Sequence, residues 1–191
     1  MKSLAHLISR IFDPMVEIPI LLGLAVWFAY LNGFAWKFLL VLMLIDAVIP
    51  FLFFLHLYRT REVHDWDISR RWERIPVYGF TLLAHLGGIG LAILTGRTEV
   101  AQILSVFWLL GILFFGLTFF WKVSVHTGMN AAMATFLVLM VGVQFSWVYG
   151  LLIPVGWARI SLGHHTFTQF SVGALLASFS MWLGFRLFGL V

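Results

Sequence analysis

Long apolar runs alternate with short polar breaks along this chain. Each run is about 15 to 25 residues long, which is close to the length that a helix needs to cross a membrane. In lipid, backbone groups can bond only to one another, so runs of this kind are predicted to be helical. We place seven of them, at 16–33, 36–57, 76–95, 100–120, 127–142, 144–158 and 166–189. The pattern predicts an all-α, polytopic transmembrane helix bundle of about seven spans.

The fifth and sixth runs are shorter than the others. At ~1.5 Å per residue each reaches only about 24 Å, against a hydrocarbon core of ~30 Å. They are predicted to be either two short spans or one bent or re-entrant unit, so six spans is the alternative count. The residues before the first run are interpreted as a short amphipathic lead-in rather than a signal peptide. No repeat or linker interrupts the pattern, and 1–191 is predicted to be a single integral membrane domain.

Composition supports the membrane assignment. Hydrophobic residues make up 62% of the chain and charged residues only 10%, whereas a soluble domain carries about 25% charged residues. The chain has no cysteine, which excludes disulfides and thiolate metal sites. The net charge of +4 is spread over the loops, a distribution typical of topology signals and not of a nucleic-acid-binding surface.

Lysine and arginine are divided unequally between the two ends of the predicted helices. In the seven-span arrangement, nine of the 12 fall on the face that carries the N-terminus. This excess favours the cytoplasm for that face. Four of the nine are themselves candidates for substrate binding. Without these four, five lysines and arginines remain on that face, against three on the other.

Three polar clusters interrupt the apolar pattern on that same face. Two spans separate the first cluster from the second, and two more separate the second from the third. An even number of crossings therefore brings all three together, where their cations form a site for an anion such as phosphate. The clusters are Arg70, Arg71 and Arg74; Lys122, Ser124 and His126; and Arg159, His164 and His165.

Two histidines in such a site suit a displacement at phosphorus. One attacks as a neutral imidazole, and the other, protonated, donates to the leaving oxygen. His126 also opens a predicted helix, whose N-terminus adds N–H groups and a favourable dipole for an anion. These segments contain no carboxylate cluster or cysteine to hold a metal. The pattern therefore predicts a mechanism without metal or cofactor.

The last cluster resembles a motif of the type 2 phosphatidic acid phosphatase family, in the acid phosphatase and vanadium haloperoxidase superfamily. The family motif is Ser-Arg, five residues, His, three residues, Asp. Here Ala158 and Arg159 are followed after five residues by His165, and after three more by Gln169. The resemblance extends over 66–176.

Two further motifs of the family have partial counterparts. The middle motif is Pro-Ser-Gly-His, of which this chain keeps the serine, Ser124, and the histidine, His126. The first motif is Lys, six residues, Arg-Pro. Here Arg74 precedes Pro76 by two residues, and Asp67 stands where the lysine would be.

The resemblance implies a metal-independent hydrolase that acts on a lipid phosphate or a polyprenyl diphosphate within membrane lipid. His165 is implied to be the nucleophile that forms a phosphohistidine, and His126 the general acid. The phosphate oxygens are implied to be held by Arg159, Ser124 and Arg74, with Arg71 or Lys122 as candidates, by placement only, for the missing lysine.

Gln169 is the main departure from the family pattern. The family's aspartate orients the nucleophilic imidazole and stabilises its charged form, and an amide can do only the first. Activity is then expected to be slower, absent, or compensated by another carboxylate such as Asp67 or Glu73. His164 is a rival nucleophile by adjacency, although its spacing from Arg159 is one residue short of the motif.

The sequence leaves two alternatives to a lipid phosphatase. One is a family member that has lost catalysis and only binds lipid. The other is a bis-histidine haem protein, for which His56 and His85 lie in or near spans but form no regular pair. Asp46 stands apart, because a carboxyl in the middle of a span costs several kcal/mol unless it is paired or protonated. It is expected to cap a kink with Pro50 or to pair inside the bundle.

Overall fold

The computed structural model describes residues 1–29 and 35–191. The end of the first predicted run, 30–33, lies outside the described residues, as does most of the polar break that follows it. All regular elements in the described part of the chain are helical, as predicted. Its α-helices are α1 (Lys2–Ile11), α2 (Pro14–Ala29), α3 (Trp36–Met43), α4 (Ile49–Arg59), α5 (Arg74–Leu94), α6 (Thr98–Thr118), α7 (Val125–Val141), α8 (Leu152–Ser161) and α9 (Phe167–Leu187).

Five helical stretches within the described residues are long and apolar enough to cross a membrane. A sixth, α7, is apolar but has only 17 residues. The prediction of a bundle of membrane-type helices is therefore confirmed. The five long stretches are Lys2–Ala29, Trp36–Arg59, Arg71–Leu94, Thr98–Thr118 and Phe167–Leu187.

The predicted run 144–158 differs from a plain span. It begins as a 3₁₀-helix, Val143–Leu151, and continues directly as α8. A 3₁₀-helix rises ~2.0 Å per residue instead of ~1.5 Å, so the two parts laid end to end reach roughly 33 Å. Gly142, with a φ of 126°, makes the turn from α7 into this segment, in a backbone region that favours glycine. The 3₁₀ geometry gives the segment more reach than its residue count indicated.

Contacts among the described residues group into two compact units. The first consists of Met1–Glu17 and Lys122–Val191, and the second of Ile18–Trp121. The boundary falls inside α2, whose first turn belongs to the first unit. The continuous apolar pattern did not indicate this division.

In the first unit, α7 and α9 pack along each other. The rings of Phe136 and Phe185 meet edge to face at 5.8 Å between centroids in their shared core. The 3₁₀-helix packs against α7, where the hydroxyls of Thr135 and Tyr149 lie 2.7 Å apart. The helix α1 packs against α8 and buries Ala5 and Ser9. The chain thus runs along α7, returns through the 3₁₀-helix and α8, and enters α9 beside the start of α7.

In the second unit, α2, α3, α5 and α6 share an apolar core. Among its fully buried members are Leu22, Val26, Leu42, Ala92 and Leu104. A π-helical turn, Leu44–Val48, joins α3 to α4, and Pro50 lies in the first turn of α4.

Asp46 lies in this π-helical turn and is paired, as one of the two expectations had it. Its Oδ2 is 2.7 Å from Nδ1 of His85 on α5. The other ring nitrogen of His85, Nε2, lies 2.9 Å from the backbone oxygen of Leu104 on α6. Both ring nitrogens are therefore engaged, an arrangement that disfavours His85 as an axial haem ligand.

Candidate functional site

The helices α7 and α9 begin side by side in the first unit. The Ser124 N–H donates to the backbone oxygen of Gln169 at 3.4 Å, and the Thr127 hydroxyl donates to that of Phe170 at 3.3 Å. This approach requires glycine at position 173, because an added Cβ would lie 2.7 Å from the Ser124 oxygen. The second and third polar clusters are thus brought to the same end of the unit, as the spacing of the apolar runs predicted.

Arg159 is the most buried cation of this group. It lies in the last turn of α8, is only 1% exposed, and donates from Nη1 to the Ser9 hydroxyl at 2.6 Å. The same Nη1 is 3.5 Å from Nε2 of His126. Its backbone oxygen accepts the N–H groups of His164 and His165, at 3.0 and 3.3 Å. Arg159 therefore contacts one candidate histidine through its side chain and holds the turn that carries the other.

His126 occupies the first turn of α7 and is buried. Its Nε2 is 3.7 Å from Oδ2 of Asp13, in addition to its approach to Arg159. A guanidinium only donates and a carboxylate only accepts. Unprotonated Nε2 can therefore accept from Arg159, whereas the protonated imidazole pairs with the charge of Asp13 at 3.7 Å. The site offers a partner to both protonation states of this imidazole.

Asp13 connects α1 to α2. Its Oδ1 accepts the N–H of Met15 at 3.0 Å, and its Oδ2 pairs with Arg10 at 3.3 Å. The carboxylate is therefore fixed at the start of α2 while its second oxygen faces His126. Neither Asp13 nor Ser9 was predicted as a site residue. The Asp-Pro pair before α2 is a helix-start signal, but nothing local links either residue to α7 or α8.

His165 is buried immediately before α9, with Nδ1 at 3.2 Å from Oε1 of Gln169. That same Oε1 accepts the N–H of Thr166 at 3.2 Å, and the Thr166 hydroxyl accepts the N–H of Gln169 at 3.3 Å. This reciprocal pair is a capping box, Thr-x-x-Gln. Because the Thr166 N–H fixes the amide orientation, His165 must carry its proton on Nδ1. In this tautomer the lone pair of the ring is on Nε2.

Ser124 and Lys122 belong to the same end of the first unit. Ser124 is fully buried and is the N-cap of α7, where its hydroxyl oxygen accepts the N–H of Thr127 at 3.5 Å. Lys122 is half-buried two residues earlier. His164 is also half-buried, next to the more deeply buried His165. The structure therefore gathers Ser124, His126, Arg159 and His165 within one unit.

The first predicted cluster lies in the second unit, where its arginines have local partners. Arg74 is buried and donates from Nε to the backbone oxygen of Ile68 at 2.9 Å. Arg71 donates to the backbone oxygen of Phe119 at 3.2 Å and lies over the ring of Trp72. These contacts anchor the polar loop to the helices of that unit.

The two carboxylates proposed as substitutes for the missing aspartate also lie in that loop. Glu73 binds the backbone N–H and ring of His64, at 3.0 and 2.8 Å, and pairs with Arg70 at 3.3 Å. Asp67 belongs to the same loop of the second unit. In the first unit, Asp13 is the carboxylate that reaches a candidate histidine.

A metal site would need several ligating side chains close together. The described part of the chain contains no group of three or more His, Asp or Glu side chains arranged to hold a metal ion. The polar side chains described in the site are one guanidinium, two imidazoles, one carboxylate, one amide and two hydroxyls, from Arg159, His126, His165, Asp13, Gln169, Ser9 and Ser124. Comparisons with protein-family models, with curated proteins and with solved structures find no match for this chain.

Proposed function

We propose that this chain is a membrane lipid phosphatase that hydrolyses a lipid phosphate or a polyprenyl diphosphate through a phosphohistidine. The observation that carries the proposal is the placement of Arg159. It is a buried cation whose side chain approaches His126 and whose backbone holds the turn ending in His165. In this proposal a phosphate binds the Arg159 guanidinium beside His126, and His165 attacks it from the adjoining turn.

In the proposed first step, Nε2 of His165 attacks phosphorus and the bond to the leaving oxygen breaks. Gln169 supports this role, because its amide oxygen holds the proton on Nδ1. Protonated His126 donates to the leaving oxygen, so that a neutral alcohol or a phosphate departs. A water molecule then attacks the phosphohistidine, with His126 as the base that removes its proton. No metal is needed for either step.

Asp13 is the proposed positioning residue for the general acid. A general acid must be protonated before the leaving oxygen departs, and a neighbouring carboxylate favours the charged imidazolium. Asp13 Oδ2 lies 3.7 Å from Nε2 of this imidazole, so its charge favours the protonated ring whichever nitrogen donates. Ser9 has the corresponding role for Arg159, because its hydroxyl orients Nη1. The N-terminal helix α1 therefore contributes to the proposed site together with the C-terminal half of the chain.

The proposed phosphate contacts come from Arg159 and Ser124, with Lys122 as an additional cation in the same unit. Arg71 and Arg74 were predicted from the first family motif, and the mechanism proposed for the first unit does not require them. The lipid class of the substrate follows from the setting, because these polar groups belong to a chain of membrane-type helices. The headgroup of the lipid substrate would be the phosphate or diphosphate that is hydrolysed.

A second candidate function is binding of a lipid phosphate without hydrolysis. The observation that favours it is that Gln169 supplies no charge to His165 and already serves the capping box of α9. An imidazolium formed during attack would then lack the carboxylate that stabilises it in the family that the motif resembles.

The experiment that separates the two is phosphate release from a panel of lipid phosphates and polyprenyl diphosphates by the purified protein in detergent or lipid. The phosphatase proposal requires release that is lost in His165→Ala. Saturable binding of the same lipids, with no release above the level of His165→Ala, would establish the binding function and contradict the hydrolase.

A further inference from the structure

A second polar site lies in the second unit, within segments that are long and apolar enough to span a membrane. Asp46 is 3% exposed in the π-helical turn, a rare form of helix that is frequently found at functional sites. Its Oδ2 lies 2.7 Å from Nδ1 of His85, a short contact whose direction departs from an ideal hydrogen bond. This pair is independent of the residues proposed for phosphate chemistry.

The backbone of α5 is shaped to admit the carboxyl group. A Cβ added at Gly88 would lie 2.8 Å from Cγ of Asp46 and closer still to its oxygen atoms. Glycine is therefore required where the carboxyl lies against the helix. At Gly90, one half-turn later, an added Cβ would meet no atom within 4 Å.

The hydrogen-bond partners of His85 determine how many protons the pair holds. The backbone oxygen of Leu104 can only accept, so Nε2 of His85 must carry a proton. Two lone pairs would repel each other at 2.7 Å, so either Nδ1 of His85 or the Asp46 carboxyl must carry a second proton. That proton belongs either to an imidazolium beside a carboxylate or to a carboxylic acid beside an imidazole. The pair has no net charge in either arrangement.

We propose that Asp46 and His85 form a membrane-embedded site for a single proton, which is shared between Oδ2 of Asp46 and Nδ1 of His85. Release of this proton would leave a net negative charge among apolar helices, and uptake of another would leave a net positive charge. Both are unfavourable in a hydrocarbon environment. The site therefore holds one proton and links the π-helical turn to α5 and α6.

Other charged and titratable groups on the packed helices do not alter this assignment. In the described residues, none of them forms a hydrogen bond or ion pair with Asp46 or His85. They lie elsewhere along these helices: Lys37 on α3; His56, Tyr58 and Arg59 on α4; Arg74 and Tyr78 on α5; and Glu99 on α6. The shared proton is thus governed by the pair itself.

The test is nuclear magnetic resonance of the full chain in lipid nanodiscs, with ¹⁵N-labelled histidine. The His85 signals are assigned by their loss in His85→Gln. We expect a protonated Nε2, together with a strongly deshielded proton at Nδ1, and both signals should stay constant from about pH 5 to about pH 8. A wild-type His85 whose second nitrogen gains or loses its proton within that range would overturn the proposal.

Two further variants show whether the deshielded proton belongs to this pair. Asp46→Asn keeps a hydrogen-bonding group but removes the carboxyl, so the deshielded signal should disappear while Nε2 stays protonated. Gly88→Ala should also abolish it by displacing the carboxyl, whereas the matched Gly90→Ala should retain it. If Gly88→Ala does not fold, Asp46→Asn decides the question. A deshielded signal that survives in Asp46→Asn would contradict the assignment.

Discussion

Oδ2 of Asp13 lies 3.7 Å from Nε2 of His126, so a carboxylate from the N-terminal segment reaches the imidazole at the start of α7. The two residues are far apart in sequence, and only the packing of α1 on α8 and the start of α2 brings them together. Arg159 approaches the same nitrogen from another direction. Both an anion and a cation therefore lie close to the ring nitrogen of His126. This setting fits a residue that donates a proton in one step and accepts one in the next.

The first prediction concerns Asp13→Asn. This change keeps the cap on the N–H of Met15 but removes the charge that favours protonated His126. The proton of the general acid is then lost at lower pH, so the basic limb of the rate profile should move to lower pH. Phosphate release on that limb should fall at least about tenfold.

The matched control for this variant is Asp65→Asn. Asp65 also accepts a backbone N–H, that of Ser69, but it lies in the polar loop of the second unit. Its rate profile should coincide with that of the wild type. An unchanged profile in Asp13→Asn would remove Asp13 from the proposed mechanism.

The second prediction distinguishes the two adjacent histidines. His165 has the family spacing from Arg159 and an Nδ1 proton held by Gln169, whereas His164 has the wrong spacing. His165→Ala should abolish phosphate release. His164→Ala should retain at least a tenth of it, which corresponds to less than ~1.4 kcal/mol in the barrier. The reverse pattern, measured with the same lipid substrate, would reassign the nucleophile.

The third prediction concerns metal ions and vanadate. The proposed displacement uses imidazole and guanidinium groups, so phosphate release should persist in EDTA. Vanadate should inhibit, because it adopts the five-coordinate geometry of phosphorus in the transition state and can bond to His165 beside Arg159. Activity that disappears with EDTA and returns with Mg²⁺ would contradict a phosphohistidine mechanism without metal.

The fourth prediction concerns Gln169. Gln169→Glu keeps the side-chain length and both acceptor roles, so it should retain more activity than Gln169→Asp, since a 1 Å displacement can cost about a hundredfold. Gln169→Leu should lose at least about tenfold, because it removes the amide oxygen that accepts the Nδ1 proton of His165. Single-turnover phosphate release by the three variants at one pH provides the comparison.

Loss of the capping box must be separated from loss of tautomer control in these variants. Thr166→Ala removes the side chain that caps α9 but leaves the Gln169 contact to His165, so it should cost about 1 kcal/mol of stability with activity largely retained. If Gln169→Leu behaves in the same way as Thr166→Ala, Gln169 serves only the helix and does not orient the nucleophile.

The fifth prediction concerns topology within the first unit. The chain has no cysteine, so single introduced cysteines can be labelled without interference. Ser161→Cys, at the end of α8, and Thr168→Cys, near the start of α9, should react with a membrane-impermeant reagent from the same side. Gln144→Cys, at the turn after α7, should react from the opposite side. Labelling of Ser161→Cys and Gln144→Cys from one side would mean that α7 and the segment after it do not cross the membrane.

The apolar pattern by itself determined that this chain is helical and suited to a membrane. In lipid, the backbone N–H and C=O groups of an uninterrupted apolar run can bond only to one another. Such runs therefore form helices, irrespective of which other helices pack beside them. The spacing of the runs also predicted that His126 and His165 would meet at one end, because α7 and the returning segment form an even number of passes. The sequence also indicated that Asp46 needs a partner, because a carboxyl is costly inside an apolar helix.

Only the tertiary structure decided which distant side chains complete these sites. Ser9 and Arg159 are separated by 150 positions, and no local pattern links them. Apart from the amphipathic α1, the helices are apolar on nearly every side, so their sequences do not indicate which face meets which neighbour. Close packing makes that choice, through small residues such as Gly88 and Gly173 that allow a carboxyl or a backbone to approach. The partners of His126 and of Asp46 are therefore properties of helix packing, although the need for such partners could be recognised in the sequence.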